Sequence, residues 1–154
     1  MSIADATAAA AIEQLMAQAI YTPLPTVPGT RPRTLPADLA AFHARFGAVT
    51  LYPDAEYGFT LAAADNLQRA DEHVVGEDID EPLSAHWYVI ATCGDQTIAI
   101  CLAEGPTFGT CYDAYWGCYP TADASTRIAG SFTELLARLV ADEGRSLFWI
   151  AGHR

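Results

Sequence analysis

Ile12, Leu15, Met16, Ala19 and Ile20 recur three and four residues apart, the spacing of one helical face. The run Ala8 to Ala11 just before them adds high intrinsic helix propensity. Together they predict a first helix with one buried stripe. Residues 21–33 interrupt it with Pro23, Pro25, Pro28 and Pro32, which predicts an irregular, partly extended connector. A second helix follows. Thr34 is placed to cap it, Pro36 falls in its first turn, and Asp38 suits the positive end of its dipole. Leu39, Phe42 and Phe46 supply its apolar face, and Gly47 suits its C-terminal cap.

Beyond Gly47 the pattern becomes strand-like. Residues 49–52 and 57–61 are short β-strands around a Pro53-Asp54 turn. Residues 62–70 read as a short helix, and 71–81 as an acidic loop without periodicity. The strongest β signal is the pair of apolar runs 87–92 and 97–102 around Cys93-Gly94-Asp95-Gln96, a turn sequence. Residues 107–112 form a further strand, with Phe108 and Tyr112 on one core-facing side, and 115–120 an aromatic-rich strand end or loop. Ser131 and Glu134 form a capping box for a last helix. Its stripe is Phe132, Leu135, Leu136, Leu139 and Val140, and Gly144 ends it. Residues 146–151 fit a last strand or a docked tail.

Helices, then strands joined by short turns, then a helix is an α+β pattern. The expectation is a single domain over residues 1–154: a central, mostly antiparallel sheet with N-terminal helices and a capped C-terminal helix. Composition agrees: the chain is 51% hydrophobic and 18% charged, which excludes a disordered polymer. No apolar run reaches the roughly 18 residues of a membrane span. The first apolar stretch has no basic leader and is broken by Glu13 and Gln14, so no signal peptide is expected and the protein is placed in the cytoplasm. The net charge of −11 argues against nucleic acid and anionic membranes as partners, since both are polyanions. Cys93, Cys101, Cys111 and Cys118 lack any zinc-type spacing and read as ordinary thiols of a reducing compartment.

The order of these elements resembles the SUKH superfamily. The residues that carry the likeness are Leu35-Pro36-Ala37-Asp38-Leu39 with Phe42, Phe46 and Gly47; Val89-Ile90-Ala91 followed by Gly94-Asp95; and Ser131-Phe132 with Leu135 and Leu136. They span residues 35–140. The proline-rich connector is longer than the family pattern, and the hairpin has one Gly where a pair is usual. The superfamily includes bacterial immunity proteins and yeast regulators of cell-wall synthesis. The resemblance implies an interaction module and not an enzyme: a cytoplasmic protein that binds a cognate bacterial toxin and neutralises it by occlusion. It brings no catalytic residues, no metal and no cofactor.

The chemistry-bearing residues fit that reading. None of the glycine-rich phosphate loops or nucleophile elbows occurs. His43 sits beside Phe42 on a helix as a core-edge residue, and His153 lies in the tail. His73 and His86 flank the acidic loop and could join Asp71, Glu72 or Glu77 in a two-His–carboxylate site, but their spacing matches no metal signature. A small metal-dependent hydrolase or ligand-binding domain built on 71–86, or a regulatory scaffold of the same fold, are the alternatives. The most distinctive feature is charge. Nine acids lie between Asp54 and Glu81, against Arg69 as the lone base. Such a window either solvates an apolar protein or steers a basic partner, such as a nuclease-like toxin domain. Expected partner-binding residues are Glu56, Asp71, Glu72, Glu77, Asp78, Asp80 and Glu81, with Tyr115, Trp116 and Tyr119 as apolar anchors. Homo-oligomerisation stays open.

Overall fold

A computed structural model describes residues 3–79, 82, 84–115, 117 and 126–150. Among these, seven strands form one antiparallel meander in chain order: β1 (Tyr21–Leu24), β2 (Ala48–Leu51), β3 (Thr60–Leu61), β4 (Trp87–Cys93), β5 (Gln96–Cys101), β6 (Cys111–Asp113) and β7 (Arg127–Ala129). The helices are α1 (Ile3–Gln18), α2 (Ala37–Phe46), α3 (Ala70–Val74) and α4 (Phe132–Asp142). The expected α+β architecture is therefore found. α1, α2 and α4 pack on one another and bury the large core with one side of the sheet.

The first helix buries Ile12 and Met16, but Ile20 is 66% exposed because the helix stops at Gln18. The next residues are β1, a strand hidden from the sequence by Pro23. Tyr21 pairs with Leu51 and Leu24 with Ala48, at the edge of the sheet. The Tyr52 amide donates to the Ile20 carbonyl (2.8 Å). By alternation Thr22 and Leu24 then face β2, and Pro23 sits where an amide would point outward. The rest of the connector packs down. Arg31 pairs with Asp65 (2.8 Å), and a Cβ at Gly29 would run into the Asp65 carbonyl.

Pro36, and not Thr34, occupies the N-cap of α2. Asp38 does the satisfying instead. Its Oδ1 accepts the Leu39 amide, and its Oδ2 accepts both the amide and the hydroxyl of Thr133, each at 2.8 Å. One carboxylate thus ties the starts of α2 and α4. Ser131 caps α4 as expected, and only the return bond of the capping box is displaced by one residue. Ser131 Oγ accepts from the Glu134 amide (3.1 Å), while Glu134 reaches back to the Gly130 amide (2.6 Å). All five stripe residues of α4 are buried.

Residues 62–70 are not a helix. Gln68 offers its carbonyl to the Val89 amide (2.8 Å), and Arg69 bridges to Tyr88, so β4 captures this backbone. Only a short 3-10 turn, Ala64–Asn66, remains, and the helix forms later, as α3, within the expected acidic loop. The strand expected over 107–112 is largely turn, with the Phe108 amide bonded to Gly105 and that of Thr110 to Thr107. Phe108 therefore lies outside β6, while Tyr112 lies within it. Residues 146–150 dock as a turn: Leu147 is buried and Trp149 Nε1 donates to Asp113 Oδ2 (3.1 Å).

The other side of the sheet carries a smaller cluster of Ala70, Trp87, Val89, Ala99, Cys101 and Ala114 under α3. Trp87 and Tyr112 stack there, with centroids 4.6 Å apart and planes at 10°. Cys101 and Cys111 are buried free thiols and Cys93 is half-buried; burial raises the pKa of Cys93 and of Cys111.

Candidate protein-docking surface

The acidic window is organised around its one base. Arg69 precedes α3, where an isolated bridge to Tyr88 of β4 holds its backbone. Its Nη1 donates to Asp78 Oδ2 (3.0 Å), its Nη2 donates to the Ala85 carbonyl (2.9 Å), and Asp71 Oδ2 stands 3.6 Å away. The hydrogen bond to Asp78 holds the guanidinium pKa above its ordinary value. Asp71 is 0% exposed and accepts the Ser84 hydroxyl (2.7 Å). Its carboxylate is thus part of the scaffold under the surface, and the outward-facing acids are its neighbours. Glu72, Glu77 and Asp78 are exposed. Asp80 and Glu81 lie outside the described residues.

The structure divides what the sequence places in one window. Glu56 is exposed in the turn between β2 and β3, and its carbonyl faces Cys93 Sγ (3.9 Å) at the last residue of β4. Arg69 and Ala85 lie where β4 begins. Six residue steps of extended chain separate the two ends, roughly 20 Å. Tyr115 lies toward the Glu56 end. It follows Ala114, whose amide donates to Thr97 (2.9 Å) beside the β4–β5 hairpin, and its own amide donates to Asp113 Oδ1 (3.1 Å). Trp116 and Tyr119 lie outside the described residues. Sequence reasoning missed the role of Arg69. Its signal was present: a single cation among nine acids is an obvious hub.

Among the described residues the histidines do not converge, and His153 lies outside them. His73 Nδ1 meets Gln68 Oε1 (3.2 Å), and His86 is exposed. Among the described residues no group of three or more His, Cys, Asp or Glu side chains is placed to hold a metal ion. His43 is a core-edge residue, as expected. Its Nε2 lies 2.7 Å from the Ala62 carbonyl, and burial pushes its pKa down to about 4, so it is the neutral ring that donates there. Beside the Arg69 guanidinium runs a groove of about 480 Å³, lined by Arg31, Asn66, Arg69, Glu72 and Tyr88 among others. Among the described residues no helix is long and apolar enough to cross a membrane.

Comparison with known proteins adds a relative. Over 116 residues the chain is 28% identical to the immunity protein YokJ of Bacillus subtilis (strain 168), covering 75% of this chain and 70% of that protein. The chain resembles an immunity protein. This likeness supports the SUKH-type resemblance carried by the Leu35–Gly47, Val89–Asp95 and Ser131–Leu136 residues. No family model matches the chain, and no solved structure matches it.

Proposed function

We propose that this protein is a cytoplasmic immunity protein that binds a cognate toxin domain and blocks it by occlusion, without catalysis of its own. The observation that carries the reading is the likeness to an immunity protein over three quarters of the chain. The surface adds physical support. A net charge of −11, with exposed Glu72 on α3 and exposed Glu77 and Asp78 in the chain after it, suits a basic partner such as a nuclease-like domain. In this reading the partner docks beside Glu72, Glu77, Asp78, Asp80 and Glu81. Tyr115, which lies toward the Glu56 end of β4, supplies apolar contact there, and Trp116 and Tyr119 are the further candidate anchors.

The test is co-expression with a toxin domain encoded beside this protein's gene. The expected outcome is survival of the host and a stoichiometric complex on gel filtration. Unprotected cells, with no complex between the two purified proteins, would refute the reading.

A further inference from the structure

The acids that face solvent on the α3 side would be a poor docking surface if their loop wandered, because ordering it would subtract from binding. Among the described residues no long helix or strand lies there. α3 is five residues, and of the acids that follow it Glu77 lies in a bend and Asp78 in irregular chain. What replaces regular structure is a clasp. Arg69 is anchored by its bridge to Tyr88 of β4, and one guanidinium reaches Asp78 nine residues on and Ala85 sixteen residues on. Asp71, buried beneath it, bonds Ser84 across the same span. Both fastenings close the segment between Asp71 and Ala85 at its two ends.

We propose that Arg69 is a positioning residue for the docking surface: its clasp on Asp78 and Ala85 holds Glu72, Glu77 and Asp78 in a fixed constellation before the partner arrives. The inference rests on the docking reading above and deepens it. Guanidinium geometry is required for this. Its planar fork serves two acceptors at once, whereas an ammonium on a flexible stem is a point charge. The cost of loop order is then met during folding and not during association.

The experiment compares four variants, Arg69→Gln, Arg69→Lys, Asp78→Asn and Glu77→Gln, with octalysine as the cationic probe. Backbone amide exchange over 72–79 reports loop order, and NMR titration at low salt reports probe affinity at the same amides. Asp78→Asn and Glu77→Gln remove the same charge from neighbouring exposed positions, but only Asp78 is in the clasp. Asp78 is 55% exposed, so its replacement leaves the core intact. Exchange should rise up to about fivefold in Asp78→Asn, which keeps an acceptor oxygen but loses the charge of a half-exposed ion pair, and stay at the wild-type rate in Glu77→Gln. Octalysine should weaken more in Asp78→Asn than in Glu77→Gln. Arg69→Gln makes the protein more negative, so simple electrostatics has it bind octalysine more tightly. The clasp requires weaker binding, and Arg69→Lys should also weaken it despite its retained charge. Equal behaviour of the two acid variants, or tighter binding by Arg69→Gln, would overturn the proposal. Loosened exchange in Asp78→Asn with no octalysine contact at 72–79 in the wild type would sink the docking reading, and the positioning role with it.

Discussion

The two sides of the sheet are built on different physics. On one, α1, α2 and α4 lock Phe42, Phe132, Leu135, Leu136, Ile90, Ile98 and Ile100 into a continuous apolar core. On the other, five-residue α3 covers a small cluster around Trp87, and the loop beyond it is held by ion pairs and hydrogen bonds from Arg69 and Asp71. The first side derives its stability from area removed from water, at roughly 25 cal/mol per Å². The second depends on geometry: a few polar contacts specify one arrangement of a segment with little to bury. The protein thereby carries this charged surface on a part whose alteration leaves the main core alone.

The largest effect that would sharpen this contrast comes from the helix side. Leu136→Ala should cost about 3 kcal/mol, the transfer and cavity terms of a fully buried leucine, measured by urea unfolding. Val74→Ala, on half-buried α3, should cost less than about 1 kcal/mol. Equal losses would erase the distinction between the two sides.

Acid should attack the helix side through His43, which α2 holds against the Ala62 carbonyl. Its folded pKa of about 4 lies below the ordinary imidazole value of 6.5, so the unfolded chain binds the extra proton first. The stability that depends on the neutral ring is complete above pH 6.5 and falls as pH drops toward 4, by up to about 3 kcal/mol. His43→Gln should flatten this part of the pH–stability curve. A curve unchanged by the substitution would show that other groups control acid unfolding.

A smaller change is expected at the start of α4. Ser131→Ala removes the oxygen that receives the Glu134 amide and should cost about 1 kcal/mol, with partner binding intact. Loss of binding by a well-folded Ser131→Ala protein would move the functional surface to the helix side.

The smallest effect on stability is expected on the acidic side. Replacing Glu72 and Glu77 by Gln should change unfolding free energy by no more than about 0.5 kcal/mol. The same pair should slow association with a basic partner and flatten its salt dependence, since exposed charges act chiefly on the on-rate. Association at the wild-type rate at low salt would reduce these acids to a solubilising role.

How much of this was legible from the chain follows the range of the interactions. The β4–β5 hairpin and the stripe of α4 were readable because neighbouring residues determine them: Gly94, with φ of 59°, makes the turn, and Ser131 with Glu134 starts the helix. β1 was concealed because proline weighs against a strand, and only its edge position, known from the sheet order, makes Pro23 acceptable. Residues 62–70 have helical composition, but the distant β4 takes their hydrogen bonds. The candidate site suffered similarly. Charge counted along the chain merged Glu56 with Glu72 and Glu77, which the sheet holds at opposite ends of β4. Burial removed Asp71 from the exposed set, and no local pattern announces that a carboxylate will turn inward to a serine thirteen residues away.

Pro23 also bears on how copies of this protein behave in a crowded solution. The outer side of an edge strand is a row of unused donors and acceptors, and a second chain can add to it as a further strand. With Pro23 in the middle of β1, the outward row lacks a donor at its centre, and an incoming strand would have to leave a carbonyl without a partner. A four-residue edge so interrupted is a weak template for growth. Replacing Pro23 by Val would restore the donor and add a β-branched side chain, a change that should appear as faster aggregation at high concentration with the fold itself unaltered.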